Sequence, residues 1–285
     1  MSDPRVALVV ASRDRRELLG RTLPRHLGLP ERPRTVIVDN ASTDGSADAA
    51  EALGVEVIRL PRNLGGAARN VGLRAVDAPY VAFCDDDSWW SPGALSRAAD
   101  LLDRHPRLAV INGHILVSAD RHVDPVCEAM ARTALPPVDG QPGHPLLSFI
   151  ACAVVVRRAA VLEVGGFSER FGVGGEEELV GWDLAGAGWL MSYVPSIVAY
   201  HDPPPNDGRP QRRERSLRNA LWVAWLRRPP LAAMARTLHL LRLSPLDRYS
   251  ARAAARAVGG LPWVLRERRV SPPHVGAMCR LLEAS

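Results

Sequence analysis

Short apolar runs and segments of helical apolar spacing alternate along the first part of the chain. Residues 6–11 form a β-branched apolar run, which predicts a strand, and residues 17–27 carry apolar side chains at helical spacing. The pair of patterns repeats, with strands predicted at 35–38, 55–60 and 80–84 and helices at 46–53 and 66–75. Such alternation predicts an α/β fold, Rossmann-like, with a mostly parallel sheet and helices on both faces.

The pattern continues less regularly towards a break near residue 206. It predicts helices at 94–104 and 176–188, strands at 110–117, 146–156 and 191–200, and a Pro/Gly-rich loop at 136–145 that we expect on the acceptor side of a site. The sequence Asp202-Pro203-Pro204-Pro205-Asn206-Asp207-Gly208 is incompatible with regular structure. We therefore predict a catalytic domain at 1–206 and a basic helical extension at 207–285.

Charge distinguishes the two parts. All 36 basic residues are Arg, which excludes mechanisms that need a Schiff-base or phosphate-binding lysine. Residues 1–206 hold 20 Arg against 26 acids, whereas residues 207–285 hold 16 Arg against 5 acids. A basic extension of this kind is a solvated helical face, a contact for anionic lipid or an anionic carrier, or a nucleic-acid surface. No nucleic-acid-binding motif accompanies it, so we expect no nucleic-acid partner.

The cysteines and the apolar runs restrict the compartment. Four widely spaced cysteines form neither a CxxC pair nor a Cys/His cluster, which argues against a zinc site or a disulfide framework. No apolar run reaches the roughly 18 residues of a membrane-spanning helix. We expect reduced thiols and a cytoplasmic protein, with peripheral contact at the inner face of the membrane as an option.

Polar clusters follow the predicted strands where ligands bind in open parallel sheets. Asp39, the 63–66 loop and Asp85-Asp86-Asp87 all come directly after strands. Three successive carboxylates repel one another unless a cation is present, and alternation along an extended segment would point Asp85 and Asp87 to one side. The pair favours a hard divalent cation such as Mg²⁺ or Mn²⁺. The alternative is a solvated acidic turn before a helix capped by Ser91.

The order of these segments resembles the family 2 glycosyltransferases, over roughly residues 5–201. The resemblance is carried by the sequences Val9-Val10-Ala11-Ser12-Arg13-Asp14-Arg15, Val36-Ile37-Val38-Asp39-Asn40-Ala41-Ser42-Thr43-Asp44-Gly45, Arg62-Asn63-Leu64-Gly65-Gly66-Ala67-Ala68-Arg69-Asn70 and Phe83-Cys84-Asp85-Asp86-Asp87, then by Gly165-Gly166-Phe167, Gly174-Gly175-Glu176-Glu177-Glu178, Gly188-Trp189 and His201. It implies a GT-A fold and an inverting, metal-assisted transfer from a nucleotide-diphospho-sugar, with UDP or dTDP favoured.

The resemblance also implies residue roles. Asp39 would accept a hydrogen bond from the imide N–H of uracil or thymine, Asp85 would approach the ribose, and Asp87 would bind metal on the diphosphate. Arg69 would pair with Asp39 or contact a phosphate. The residues implied in nucleotide binding are Ser12, Arg13, Asp39, Asn63, Gly65, Arg69, Asp85 and Asp86. The family often has an aromatic residue where Arg13 stands, and a guanidinium also stacks on bases.

Two further sites complete the expected machinery. In the family an acidic pair begins a helix, and one member of the pair deprotonates the acceptor hydroxyl. Alignment on Gly188-Trp189 implies Glu177 as this base and Glu176 as the reserve. Leu179 departs from the family pattern, which has a further Asp at that position. The alternative is that the acids only favour the helix N-terminus. Asp85, Asp87 and His201 are the implied metal ligands, and His201 could instead be a packed histidine. Asp44 is expected in a turn.

The aromatic residues leave packing and binding open. Trp89, Trp90 and Trp182 are candidates for sugar stacking or for apolar packing. Trp222 and Trp225, three residues apart in an Arg-flanked apolar stretch, predict one face of an amphipathic helix. That face suits an anionic bilayer or a lipid-linked acceptor, or packs against the catalytic domain or a second subunit as a homodimer.

The expected function is glycosyl transfer to an acceptor hydroxyl. The partners are a nucleotide-sugar donor and a small-molecule or glycan acceptor, with natural products and cell-envelope glycans both open. A sugar nucleotidyltransferase would need a glycine-rich first loop and a lysine, neither of which is present. A non-catalytic nucleotide-sugar-binding module is the other alternative, and the intact Asp and Glu clusters argue against it.

Overall fold

The computed structural model describes residues 3–204 and 209–284. The predicted boundary at residues 206 and 207 lies outside these ranges. The strands of the sheet, numbered along the chain, are β1 Val6–Ser12, β2 Arg34–Asp39, β3 Glu56–Arg59, β4 Tyr80–Cys84, β5 Ser88–Trp90, β6 Leu108–Val117, β7 His122–Val123, β8 His144–Pro145, β9 Val154–Arg157 and β10 Leu190–His201.

Helices connect the strands and form the C-terminal part. Those between strands are α1 Arg16–Leu27, α2 Ser46–Ala52, α3 Ala68–Ala75, α4 Ala94–Arg104, α5 Pro125–Ala131, α6 Arg158–Glu163 and α7 Glu176–Gly186. Those after the last strand are α8 Arg209–Arg227, α9 Pro230–Leu243, α10 Arg248–Gly259, α11 Leu261–Glu267 and α12 Pro273–Glu283. The α/β class and the helical extension are confirmed.

The sheet places the ends of its parallel strands at one edge. Its order is β3-β2-β1-β4-β9-β6-β10-β5, with β7 beside β6 and β8 beside β10. The strands β3, β2, β1 and β4 are parallel, as are β6 and β10, whereas β9 and β5 are antiparallel to their neighbours. Ser12 lies beside Asp39 in the register, so the polar segments after β1, β2 and β4 share one crevice.

The apolar run at 146–156 is the part of the fold that the pattern predicted poorly. Only Val154–Arg157 is a strand, preceded by a 3₁₀ turn at Ala151–Ala153 and by irregular backbone. The run is apolar because the irregular segment packs against α7. Leu147 is buried, and a Cβ added to Gly181 of α7 would lie only 2.4 Å from the carbonyl oxygen of Leu147. Periodicity does not separate a buried loop from a buried strand.

The C-terminal helices pack on the sheet-bearing part through one aromatic cluster. Trp222 of α8 is buried, with its ring centroid 5.9 Å from that of Phe171 and 5.0 Å from that of Trp263. Asn219, also in α8, is fully buried and donates to the carbonyls of Phe171 and Gly174. These contacts fix the loop immediately before α7.

The tryptophan face of α8 is therefore an internal face. Trp222 Nε1 donates to the carbonyl of Ala257, 3.1 Å away, and Trp225 Nε1 donates to the hydroxyl of Thr237 at 3.0 Å. Of the interpretations open from the sequence, packing within the chain is the one observed. Trp222 is buried by these contacts, whereas Trp225 remains partly exposed. In the described part of the chain, no helix is long and apolar enough to cross a membrane.

We predict that Trp222→Ala destabilises the whole molecule. Removing a buried Trp costs about 3–5 kcal/mol of unfolding free energy, because a cavity remains among Phe171 and Trp263. The matched control is Leu246→Ala, whose side chain is fully exposed. Denaturant unfolding of both variants, followed by circular dichroism, measures the difference. A loss below about 1 kcal/mol for Trp222→Ala would show that the cluster does not couple the two parts.

Candidate active site

Asp39 at the end of β2 carries one carboxylate oxygen with no protein partner. Its Oδ2 accepts a hydrogen bond from the backbone N–H of Ser42 at 3.2 Å, which shapes the turn after the strand. Its Oδ1 is buried and receives no hydrogen bond. A buried carboxylate oxygen without a donor is costly, so it marks a place where a ligand donor fits.

The glycine loop at residues 63–66 contacts other segments of the protein as well as bordering the crevice. Gly65 has φ +60°, and a Cβ there would meet the backbone of Gly172 at 2.5 Å. A Cβ on Gly66 would meet Glu176 Oε1 at 2.3 Å. Asn63 Oδ1 accepts from the N–H of Gly65 at 2.8 Å, which closes the turn. The two glycines therefore allow this loop to touch the segment that leads into α7.

Residues 85–87 form a turn, closed by a hydrogen bond from the N–H of Ser88 to the carbonyl of Asp85, so the extended alternation expected there is wrong and Asp85, Asp86 and Asp87 have three different partners. Asp86 Oδ2 accepts a hydrogen bond from the hydroxyl of Ser12 at 2.8 Å. Burial raises the pKa of Asp86 to about 7, with Asp85 and Asp87 adding to the rise and Ser12 opposing it. Ser12 and Asp86 thus bond to each other between β1 and the acidic turn.

Asp87 lies beside His201 at the end of β10. His201 Nε2 is 3.4 Å from Asp87 Oδ1, and that buried oxygen receives no hydrogen bond. The short strand β5, which follows the acidic turn, pairs Ser88 with His201 and so brings the two together. Burial lowers the pKa of His201, but the Asp87 carboxylate outweighs it, and the net pKa is raised.

Arg69 is the buried cation of the site. Its Nη2 donates to Asp85 Oδ1 at 2.8 Å, and its Nη1 lies 3.4 Å from Glu176 Oε1. Burial lowers the pKa of Arg69, but the charges of Asp85, Glu176 and Glu177 outweigh it and raise the pKa above the ordinary value. Of the two expected roles, pairing with Asp39 is wrong, because the guanidinium reaches the acidic turn and α7.

Glu176 and Glu177 differ in their surroundings although they are adjacent at the start of α7. Glu176 is 1% exposed, and its Oε2 accepts from the N–H of Gly174 while Oε1 faces Arg69. Glu177 is half-buried and lines a cavity of about 620 Å³ together with Ser148, Ile150 and Trp182. Burial raises the pKa of Glu177 to about 8, and the charge of Glu176 adds to the rise. Glu176 is fixed, whereas Glu177 borders open space.

The remaining predicted residues divide between the crevice and the packing around it. Arg13 is exposed, and its Nε is 3.3 Å from Asp14 Oδ2. Asp44 accepts from the N–H of Ser46 and of Arg16, so its expected turn role is confirmed.

The three candidate tryptophans have different surroundings. Trp90 is a core residue, and the ring centroid of Trp89 lies 3.7 Å from the guanidinium carbon of Arg25. Trp182 lines the cavity beside Glu177.

Two asparagines that the sequence analysis did not single out hold the site together. Asn40 accepts from the N–H of Leu64 at 2.7 Å and donates to the carbonyl of Gly65 at 3.1 Å. Asn70 exchanges two hydrogen bonds with the backbone of Phe167. Both lie inside the quoted motifs, next to Asp39 and Arg69, and an amide that both donates and accepts suits such a bridge.

The acidic groups do not form a compact all-protein metal cage. Across residues 3–204 and 209–284, no three or more His, Cys, Asp or Glu side chains are grouped so that they could hold a metal ion. Asp85 is turned to Arg69, and the pair left facing the crevice is Asp87 and His201.

Comparison with known proteins identifies the family. The profile described as Glycosyl transferase family 2 matches residues 7–165, which include β1, the acidic turn and the loop beyond β9. This chain belongs to glycosyl transferase family 2. The glycosyltransferase assignment and the resemblance noted from the motifs are thereby confirmed.

Curated relatives of this family 2 chain come from Mycobacterium tuberculosis. One is an N-acetylglucosaminyl-diphospho-decaprenol L-rhamnosyltransferase, 31% identical over 215 residues, which are 63% of this chain and 70% of the relative. Another is a pre-mycofactocin glycosyltransferase, 32% identical over 187 residues, which are 59% of this chain and 37% of the relative. Both are glycosyltransferases, with different acceptors in their names.

Solved structures show that the fold is GT-A. A mannosyltransferase from Pyrobaculum calidifontis, in complex with GDP-Man and Mn²⁺, has a TM-score of 0.62 at 18% identity and covers 100% of this chain and 87% of its own. S. aureus TarS in complex with UDP-GlcNAc has a TM-score of 0.65 at 17% identity, covering 96% and 83%. At these identities the likeness is one of fold.

We predict that Glu177→Gln stabilises the protein most at high pH. The folded-state pKa of Glu177 is raised to about 8 from 4.5, so its stability contribution is full below pH 4.5 and is lost as the pH rises through 8. Glutamine stays neutral, so the gain in melting temperature over wild type should grow from pH 4.5 to 8 and then level off. Glu17→Gln, at an exposed position, is the control with a flat profile. A flat profile for Glu177→Gln would contradict the raised pKa.

Proposed function

We propose that this glycosyltransferase transfers a sugar from a UDP- or dTDP-sugar to an acceptor hydroxyl, with inversion and with a divalent cation, Mn²⁺ or Mg²⁺. The observation that carries the proposal is a pair of buried carboxylate oxygens, Asp39 Oδ1 and Asp87 Oδ1, that receive no hydrogen bond. They lie at the carboxyl ends of parallel strands on either side of β1. Asp39 Oδ1 lacks a donor, and Asp87 lines a cavity of about 190 Å³ together with Trp89 and Asp202.

Asp39 favours a base with a single imide N–H. Its Oδ2 is already engaged by Ser42, so only Oδ1 is free to accept. Uracil and thymine present one imide N–H between two carbonyl oxygens, whereas guanine presents adjacent N–H groups that suit both oxygens of a carboxylate. The donor is therefore a uridine or thymidine diphosphate sugar in this proposal. The further donor contacts proposed from the motifs are Ser12, Arg13, Asn63, Gly65, Arg69, Asp85 and Asp86.

The residues at the acidic turn fit a divalent cation. Asp87 Oδ1 is buried without a hydrogen bond and lies next to His201 Nε2, an oxygen and a nitrogen of the types that Mn²⁺ accepts. Asp87 and His201 would hold the ion, with Asp85 near enough along the chain to join them. A bound cation neutralises the charge that develops on the leaving diphosphate. Structural neighbours in complex with Mn²⁺ support this part of the proposal.

Glu177 is proposed as the base. Direct displacement at the anomeric carbon inverts its configuration and needs a proton acceptor on the side of the incoming hydroxyl. Glu176 is held by Gly174 and Arg69, which leaves Glu177 as the acid of the pair that borders the cavity. The raised pKa of Glu177, about 8, makes its carboxylate a stronger base than an ordinary one.

The two alternatives predict different chemistry. A nucleotidyltransferase would convert a nucleotide-sugar and pyrophosphate into a nucleoside triphosphate and a sugar 1-phosphate, and a binding module would show no turnover. Membership of family 2 and the paired acidic clusters favour the transferase.

We predict that Asp87→Ala abolishes the metal-linked part of UDP binding. Wild type should be stabilised thermally by UDP with Mn²⁺ and much less after EDTA, because Asp87 and His201 would hold the cation and its charge would favour the diphosphate. Asp87→Ala should lose that difference, and sugar transfer with it. Asp77→Ala, at an exposed position after α3, is the matched control. Undiminished, EDTA-resistant transfer by Asp87→Ala would overturn the metal proposal.

We predict that Glu177→Gln separates donor binding from turnover. Loss of a general base lowers turnover about 100-fold or more, while UDP binding stays near wild type. Wild-type kcat/KM should rise with pH towards about 8, as Glu177 loses its proton. The steady-state rate and the UDP affinity are measured for Glu177→Gln and Glu176→Gln in parallel. If only Glu176→Gln shows the separation, the base is Glu176.

A further inference from the structure

The C-terminal helices enclose the larger part of an apolar cavity next to α7. Its volume is about 720 Å³, and its walls come from α9, α12, the segment between α11 and α12, and Trp182 of α7. The apolar wall residues include Ala232, Ala235, Val275 and Gly276. A cavity of this size accommodates an organic molecule of drug-like dimensions. None of the proposed donor contacts lies in its walls.

This apolar cavity adjoins the one that contains the proposed base. The 620 Å³ cavity is lined by Glu177 and by the buried loop at 147–150. The two cavities share six wall residues, which are Trp182, Arg228, Arg236, His239, Cys279 and Glu283. The cavity that Glu177 lines and the apolar cavity between α9 and α12 therefore adjoin at these residues.

The shared wall has an excess of positive charge. Arg228 makes two hydrogen bonds to Glu283, and Arg236 Nη1 lies 3.4 Å from the same carboxylate. One carboxylate thus serves two guanidinium groups, and Arg228 Nε is buried without a hydrogen-bond partner. Glu178, in the wall of the 620 Å³ cavity only, has its pKa raised by burial, and the charges of Arg236 and Arg228 oppose that rise. A phosphate or diphosphate would compensate the excess charge.

We infer that the acceptor is a lipid-linked sugar phosphate, bound with its apolar chain between α9 and α12, its phosphate at Arg228 and Arg236, and its sugar hydroxyl at Glu177. The inference deepens the proposed function and rests on it. In the reaction, the acceptor oxygen bonds to the anomeric carbon and its proton passes to Glu177. The bond from that carbon to the donor's diphosphate breaks, and its electron pair leaves with the nucleoside diphosphate.

The exposed side of α9 extends the apolar surface beside the cavity. Leu231, Met234, Leu238 and Leu241 recur at helical spacing and are exposed, with Leu231 at 87%. Ala232, Ala235 and His239 line the cavity and directly follow the first three of these residues, so the two faces are neighbours around the helix. An apolar stripe in an Arg-rich extension suits the surface of an anionic bilayer, where the rest of a long chain would lie.

The binding test uses farnesyl diphosphate as the probe. Titration is followed by calorimetry and by the fluorescence of the protein, since Trp182 lines both cavities. The full chain should bind farnesyl diphosphate at least 10-fold more tightly than either farnesol or inorganic pyrophosphate. The comparison with farnesol measures the contribution of the anionic group to the affinity, and the comparison with pyrophosphate measures that of the apolar chain. UDP with Mn²⁺ is titrated in the same experiment to report on the donor site separately.

Two variants test the two halves of the site. Gly276→Leu fills the apolar cavity from α12, where a Cβ meets only Arg280 Nη1 at 3.6 Å, so the backbone is not strained. Gly259→Leu is its control, with no atom within 4 Å of a Cβ at an exposed helix position. Arg236→Gln removes the charge, and Arg242→Gln is its control on the exposed side of α9. Melting temperatures verify that each variant is folded.

The expected result is at least a 10-fold loss of farnesyl diphosphate affinity in Gly276→Leu and in Arg236→Gln, with both controls unchanged. Wild type that binds UDP with Mn²⁺ but not farnesyl diphosphate would overturn the inference and leave the proposed function standing. Equal affinity for farnesol, or affinity unaffected by both variants, would also overturn it. Failure to bind UDP under any condition would instead count against the proposed function.

Discussion

The site depends on one buried guanidinium. Arg69 of α3 lies between Asp85, after β4, and Glu176, at the start of α7. Without a cation there, the acidic turn and the first turn of α7 would repel each other. Glu176 is buried, so leaving its carboxylate unpaired would cost about 3–5 kcal/mol, whereas Asp85 is partly exposed and its pair contributes less. Arg69 thereby ties the acidic turn to the start of α7.

The same contact makes the two glutamates unequal. Glu176 receives Arg69 and the N–H of Gly174, whereas Glu177, one residue later, points elsewhere on the helix and borders the cavity. Its pKa is raised by burial, and the charge of Glu176 adds to the rise. The charge of the fixed Glu176 carboxylate therefore helps to raise the pKa of Glu177, the residue proposed as the base.

The sequence was sufficient for the parts of the fold that follow local rules. The strand-helix alternation through β4 and the turn at Asp44 follow from periodicity and turn chemistry, whereas the turn at residues 85–87 replaces the extended segment that alternation assumed. The pairing of Arg69, the irregular backbone before Val154 and the burial of Trp222 depend on which distant segments pack together. Gly65 and Gly66 illustrate the limit: the motif indicated close approach, but not that Gly172 and Glu176 approach them.

The protein has an open crevice at the strand ends and, beside the C-terminal helices, an apolar cavity with guanidinium groups in its wall. Asn219 and Trp222 tie these helices to the loop before α7, so the proposed acceptor wall and the proposed base are held by the same contacts.

The measurement that tests the account most directly is the affinity of the wild-type protein for UDP, dTDP and GDP with Mn²⁺, by calorimetry. The account predicts that UDP and dTDP bind more tightly than GDP, because Asp39 offers one free oxygen. Equal or tighter binding of GDP would contradict it.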